Sequence, residues 1–194
     1  MSVSAAFHLG EEPLILASAS PRRAQMLKEA GIPFAVIPAD IDEHCIQAET
    51  TAELPERIAL AKAECVARLH PNRLILAADT SVCLDDVIFG KPRDMADAVR
   101  TLQQLSGKTH QVITGVALLQ GNCRESWHSV SNVTFKTLAP SDIQAYFALV
   151  NPLDKAGAYA IQEHGDMIVS AIGGLRSNIV GLPIEEVLAR IDRM

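Results

Sequence analysis

The chain has 194 residues, with 17 Lys and Arg against 23 Asp and Glu and a formal net charge of −6. That acid excess counts against a nucleic-acid polymer as partner, because such a partner needs a dominant basic face. With 5 Phe, 2 Tyr and 1 Trp, a base-stacking surface is not expected either.

Hydrophobic residues make up 48% of the chain, enough to bury a core without disulfides or metal staples. The N-terminus lacks a basic region and meets Glu11 and Glu12 before any long apolar run, so no signal peptide is expected. No stretch approaches the ~18 uninterrupted apolar residues of a membrane span. Cys45, Cys65, Cys83 and Cys123 show no CxxC or Cys/His metal spacing and read as small core residues. The expected location is cytoplasmic, with no membrane partner.

In chain order, Leu14 to Ala17 is a short apolar run that breaks at Ser18-Ala19-Ser20. Pro21 then suits the first turn of a helix that carries Met26, Leu27 and Ala30 and stops at Gly31. Phe34 to Ile37 reads as a strand running into Asp40, Asp42 and Glu43. Ala52 to Leu69 reads as an amphipathic helix with Leu54, Ile58, Ala61, Cys65 and Leu69 on its apolar side. Leu74 to Leu84 is a strand pattern interrupted by Asp79 and Thr80. Asp94 caps a helix carrying Ala98, Leu102 and Leu105. Gln111 to Leu119 and Ser126 to Leu138 are β-rich, with Gly121-Asn122 as a turn between them. Pro140 to Val150 reads as a helix, Ala156 to Ile161 and Met167 to Ile172 as strands, and Pro183 opens a closing helix through Ile191. The alternation without strict βαβ regularity predicts an α/β protein with a mixed sheet.

Three segments are candidates for chemistry. At Ser18-Ala19-Ser20-Pro21-Arg22-Arg23, a strand turns through small residues into a helix start. Backbone N–H groups and two fork-shaped cations there suit an anion, and a plain N-cap with two solvated arginines accounts for it equally well. It is not a Walker loop. Asp79, an ionised carboxylate in an apolar strand, must be paired, hydrogen-bonded or at a cleft. It suits a general base or a ligand beside a metal, or else the cap of a following turn. Glu43, with Asp42 and Asp40, offers the hard oxygen ligands that Mg²⁺ or Mn²⁺ takes when it also holds a phosphate, or simply solvated charge. Lys62 and Lys91, the latter in Gly90-Lys91-Pro92, are cations able to join such a site; alone, Lys62 reads as an exposed helix lysine and Gly90-Lys91-Pro92 as an ordinary turn. Ser106-Gly107-Lys108-Thr109-His110 and Thr114-Gly115 read as a polar turn entering a strand, with His110 structural. No Ser-His-Asp or Cys-His set is visible, so phosphate chemistry assisted by a divalent metal leads.

These segments together resemble the Maf-type nucleoside triphosphate pyrophosphatases from Leu14 to the last helix. The resemblance also runs through Lys62-Ala63, Ala78-Asp79-Thr80, the stretch from Asp154 to Gln162, and Asn178-Ile179-Val180-Gly181-Leu182-Pro183. It implies cleavage of a nucleoside triphosphate between the α- and β-phosphates, a Mg²⁺ or Mn²⁺ ion, and commonly a homodimer. The implied fold is an elongated mixed sheet flanked by helices, one catalytic domain over 14–194 with two lobes around a central cleft, related to the inosine-triphosphate pyrophosphatases. Residues 1–13 would then be a loosely ordered extension.

The resemblance implies roles as well. Asp79 would be the proton acceptor, and Glu43 with Asp79 would hold the metal. Ser18, Arg22 and Arg23 would hold phosphates, and Lys62 and Lys91 would neutralise charge on the leaving group. The family branch acting on dTTP and UTP carries Arg, Thr and Gln at three positions where the methylated-GTP branch carries Trp, Gln and Glu. This chain has Arg22, Thr80 and Gln162. An amide such as Gln162 presents a donor and an acceptor to the edge of uracil or thymine. Two other readings stay open: a regulatory nucleotide-binding protein linked to septum formation, and the same chemistry on a purine triphosphate. The loop at Gly173-Gly174-Leu175 departs from the usual family lead-in.

Overall fold

The computed structural model describes residues 7–192. Its elements in order are β1 (Phe7–His8), β2 (Leu14–Leu16), α1 (Pro21–Glu29), β3 (Phe34–Val36), α2 (Glu53–Ala67), β4 (Ile75–Leu84) and β5 (Val87–Phe89). There follow α3 (Met95–Leu105), β6 (Thr109–Gln120), β7 (Cys123–Phe135), α4 (Pro140–Phe147), β8 (Val169–Gly173), α5 (Arg176–Val180), α6 (Ile184–Arg190) and β9 (Ile191–Asp192). Seven strands are hydrogen-bonded in the order β3-β2-β4-β6-β7-β8, with β5 paired to β4 off this path. The β2–β3 and β2–β4 pairs are parallel and the β4–β5 and β7–β8 pairs antiparallel, which makes the mixed α/β sheet that the sequence predicts.

The chain forms two compact units. The first is drawn from the stretches up to Asp79, Thr114–Ser129 and from Gly181 onward. Its core packs Leu14, Leu16, Leu27, Leu76, Val116, Leu182 and Val187 on one side of the strands. Ile15, Ala17, Ala59, Ala63, Ile75 and Ala117 pack on the other, as the period-2 alternation of β2 and β4 requires. Helix α2 buries Pro55, Ile58, Ala59, Ala63 and Val66, so only Ile58 of the expected stripe is on the buried face, and Leu69 is 77% exposed. The reason is close approach. A Cβ on Gly115 would lie 2.1 Å from the Glu56 backbone nitrogen, so the start of α2 rests on a bare backbone, and small residues at 59 and 63 continue that contact. Thr114 and Gly115 therefore sit buried inside β6, not in a turn.

Strand β7 is held from two directions in this unit. Glu186 of α6 accepts from Trp127 Nε1 (2.7 Å) and Ser129 Oγ (3.0 Å). Glu56 of α2 accepts from Ser126 Oγ at 2.7 Å and pairs with His128 Nδ1 at 2.9 Å. Arg190 lies 3.9 Å over the Trp127 ring and bonds Glu125 at 2.7 Å. The expectation of a loosely ordered start to the chain fails at Phe7, which is 1% exposed in the core, and β1 pairs in parallel with β9. Residues 1–6 lie outside the described residues.

The second unit comprises Thr80–Ile113 and Val130–Val180. Its core gathers Val82, Leu102, Leu105, Val133, Phe135, Ile143, Tyr146 and Tyr159. Asp85 and Asp86, at φ 49° and 63°, form the tight turn between β4 and β5. The segment expected as a strand at Ala156 to Ile161 is instead a 3-10 turn over Ala156–Ala158 followed by irregular chain. Gly157 and Ala158 have φ of 68° and 63°, which no strand accommodates. The second expected strand begins at Val169, after a 3-10 turn at Gly165–Met167. Of the four cysteines, all free, only Cys83 is buried; Cys45 and Cys123 are exposed and Cys65 is intermediate, so the core reading holds at one position.

His110 is buried edge-on to Phe135 and Tyr159, with Nε2 2.9 Å from Tyr159 Oη. Burial pulls its imidazole down from 6.5 to about 4. The unfolded chain therefore takes up a proton at this site below pH 6.5 while the folded chain does not until about pH 4. Stability is fully present above pH 6.5 and declines toward pH 4, by about 3 kcal/mol from this group. Urea unfolding between pH 7 and pH 4 should show that decline in the native protein. His110→Gln should remove its share, and an unchanged decline in the variant would assign it to other groups.

Candidate active site

The candidate residues of the first unit form two bonded groups. On α2, Lys62 points its ammonium between two carboxylates, 2.8 Å from Asp79 Oδ1 and 2.9 Å from Glu43 Oε1. Asp79 lies within β4, and its side chain is 16% exposed against 12% for Lys62, so the pair is shielded where a surface pair would be screened. Glu43 begins a short 3-10 turn, Glu43–Cys45, whose start is capped by Asp42 through the His44 backbone N–H. Lys62 is thus an internal counter-ion and not an exposed helix lysine. Among the described residues, Asp79 Oδ1 bonds only Lys62, and Oδ2 makes no hydrogen bond.

The second group is built on the turn from β2 to α1. Arg23, 9% exposed, donates from Nε to the Gly181 carbonyl at 2.8 Å and from Nη1 to Ser18 Oγ at 2.8 Å. Ser18 Oγ also accepts from the Ser20 N–H at 3.3 Å, which closes the turn. Burial lowers the Arg23 pKa, the Asp79 carboxylate raises it, Arg22 lowers it and Glu43 raises it again. The guanidinium therefore lies in the field of both carboxylates and is charged at any ordinary pH. Helix α1 starts with Pro21 and has no acidic residue in its first turn, so nothing on the helix offsets the positive end of its dipole. Arg22, half-buried, adds a second guanidinium at that end.

Thr80 follows Asp79 on β4 and is half-buried; adjacent strand residues point to opposite faces. Lys91 and Gln162 are exposed and belong to the second unit. The Gly90-Lys91-Pro92 turn is tied down there by the Gly157 N–H, which donates to the Gly90 carbonyl at 3.1 Å. Gln162 lines a cavity of about 470 Å³ together with His164, Ser170 and Arg176.

Some contributors were not assigned a role from sequence. The Gly181 carbonyl that holds Arg23 is 158 residues away and gives no local signal. Asn178, buried, donates to the Val112 carbonyl at 3.0 Å and Ser131 Oγ at 2.9 Å, anchoring the start of the last loop. Lys155, 4% exposed, stands next to an apolar run, which is the one signal in the sequence for its burial.

The mixed α/β fold thus carries a shielded carboxylate–lysine–carboxylate cluster and a cationic helix start, a combination suited to an anionic ligand. The profile of the Maf-like protein family matches residues 13–194. A dTTP/UTP pyrophosphatase of Symbiobacterium thermophilum is 44% identical over 182 residues, 94% of this chain and 94% of that protein. A dTTP/UTP pyrophosphatase of Myxococcus xanthus is 46% identical over 180 residues, 93% and 91% of the two chains. The Ham1 protein of Staphylococcus aureus shares 15% identity, covering 92% of this chain and 96% of its own at a TM-score of 0.48. The chain belongs to the Maf-like family.

Arg23→Lys should keep the charge but lose the two-point link from Ser18 to Gly181. A cost of about 2 kcal/mol in urea unfolding is expected. A variant as stable as the native protein would show that the link is dispensable.

Proposed function

We propose that the protein is a nucleoside triphosphate pyrophosphatase that cleaves UTP and dTTP between the α- and β-phosphates, giving the monophosphate and pyrophosphate. The Asp79–Lys62–Glu43 cluster carries this reading. Lys62 holds Asp79 by one oxygen, which leaves Oδ2 to accept the proton of the attacking water. Arg22 and the start of α1 supply the positive field for the phosphates, while Arg23 fixes the turn that presents them. Lys62 offsets charge on the departing pyrophosphate, the role that the family resemblance also gives Lys91. The names of the relatives that match over most of the chain support the substrate pair. Gln162 is the residue assigned to the pyrimidine edge, where cytosine would leave a donor or acceptor unpaired.

A divalent ion fits the donor set. Glu43 and Asp79 converge on the Lys62 ammonium and so lie close enough to share an ion, and no group of three His, Cys, Asp or Glu able to hold a metal occurs among the described residues. Two carboxylates, with phosphate oxygens and water completing the shell, suit Mg²⁺ or Mn²⁺ and not a closed structural zinc site. Such an ion would supply Lewis-acid charge to the phosphate oxygens. No helix among the described residues is long and apolar enough to cross a membrane. A cytoplasmic location, where triphosphates are held, agrees with four free cysteines. The homodimer that the family resemblance implies is part of this reading.

Pyrophosphate release from UTP, dTTP, CTP, GTP and ITP with Mg²⁺ or Mn²⁺ tests the substrate class. UTP and dTTP should lead. Nucleotide binding without turnover would favour a regulatory role, and a purine in front would move the specificity. Asp79→Asn should keep the shape and lower kcat by about three orders of magnitude while nucleotide binding survives. An active variant would reassign the base.

A further inference from the structure

Gln162 is exposed, and a flexible exposed amide discriminates poorly, because freezing it on a ligand costs conformational entropy. Its flanking chain is fixed on both sides by buried polar side chains. Two residues before it, Tyr146 Oη accepts from the Ala160 N–H at 3.0 Å and donates to the Ala160 carbonyl at 3.2 Å. Tyr146 is fully buried, and burial pushes its hydroxyl up to about 12, so it stays a neutral donor and acceptor. One residue after it, Glu163 Oε2 lies 3.3 Å from the ammonium of Lys155, whose side chain is 5% exposed. That ammonium also donates to the Asn151 carbonyl and to Asp154 Oδ1, both at 2.9 Å. A lysine this deeply buried needs several oxygen partners, and Glu163 is the one that comes from Gln162's own segment.

We infer that the Lys155–Glu163 ion pair is a positioning device for pyrimidine recognition: it holds the Ala160–Glu163 segment so that the Gln162 amide meets the base already ordered. The inference rests on Gln162 reading the base. Lys155 and Glu163 touch no substrate in this account; they act through Gln162. The backbone around Lys155 suits the task. Gly157, with φ 68°, leaves no room for a Cβ, which would lie 2.8 Å from Val82 Cγ2. This turn is thereby locked against β4 and offers Lys155 a fixed base.

The test compares kcat/KM for UTP and CTP in four full-length variants. Glu163 is half-exposed, so Glu163→Ala removes the anchor without leaving a hole in the core. It should lower the UTP-over-CTP preference by about fivefold to tenfold, with the loss in KM for UTP and kcat nearly unchanged. Glu163→Gln keeps an acceptor oxygen and should recover most of the preference. Gln162→Ala should abolish the preference, and Gln162→Ala with Glu163→Ala should lose no more than Gln162→Ala alone. Equal losses on UTP and CTP in Glu163→Ala would make the pair merely structural and overturn the inference while Gln162 keeps its role. An unchanged preference in Gln162→Ala would overturn the reading of Gln162 itself, whatever Glu163→Ala does.

Discussion

One ammonium group between two carboxylates is the constraint on which the first unit's chemistry depends. Lys62 Nζ stands 2.8 Å from Asp79 and 2.9 Å from Glu43, so each carboxylate has a nearby positive charge and neither faces the other bare. Remove the lysine and two like charges face each other in a half-shielded site. The fold meets this requirement through backbone geometry. Asp79 comes from a strand, Lys62 from a helix, and that helix is seated by the missing side chain of Gly115. The placement of a charge therefore rests on the absence of a methyl group.

A second pattern recurs in both units: buried or half-buried polar side chains hold backbone carbonyls or turns that present other residues. Arg23 grips the Gly181 carbonyl, Asn178 the Val112 carbonyl, Lys155 the Asn151 carbonyl and Tyr146 both polar groups of Ala160. Each buried donor meets the rule that such groups be paired. All but Asn178, whose carbonyl acceptor lies in β6, thereby fix irregular chain, which lacks the ladder bonds of helix or sheet.

The helices were largely legible because their signals are local. Pro21 opens α1, Asp94 caps α3 by accepting from the Asp97 N–H, and Pro140 opens α4. The buried face of α2 was not legible, since Leu54, Cys65 and Leu69 are more apolar than Ala59 and Ala63. What decides the face is the flat contact at Gly115, a feature of another strand. The stretch at Ala156–Ile161 misleads for a different reason. Buried apolar residues in a row occur in a packed irregular turn as well as in a strand, and only Gly157 hints at the positive φ. At the site, residue types pointed to Asp79, Lys62, Glu43 and Arg23. Their partnerships did not, because every bond that joins them except Arg23 to Ser18 spans distant segments.

The pairing of β1 with β9 bears on how the chain is made. Phe7 aligns with Ile191, so Phe7 finds its strand partner only after the ribosome has passed Ile191. The first unit also needs Gly181 for Arg23 and Glu186 for Trp127, both from the last segment. The second unit has all of its residues by Val180. During translation the second unit can thus close while the Asp79 side still waits, and the cationic turn gains its carbonyl anchor only once Gly181 has been made.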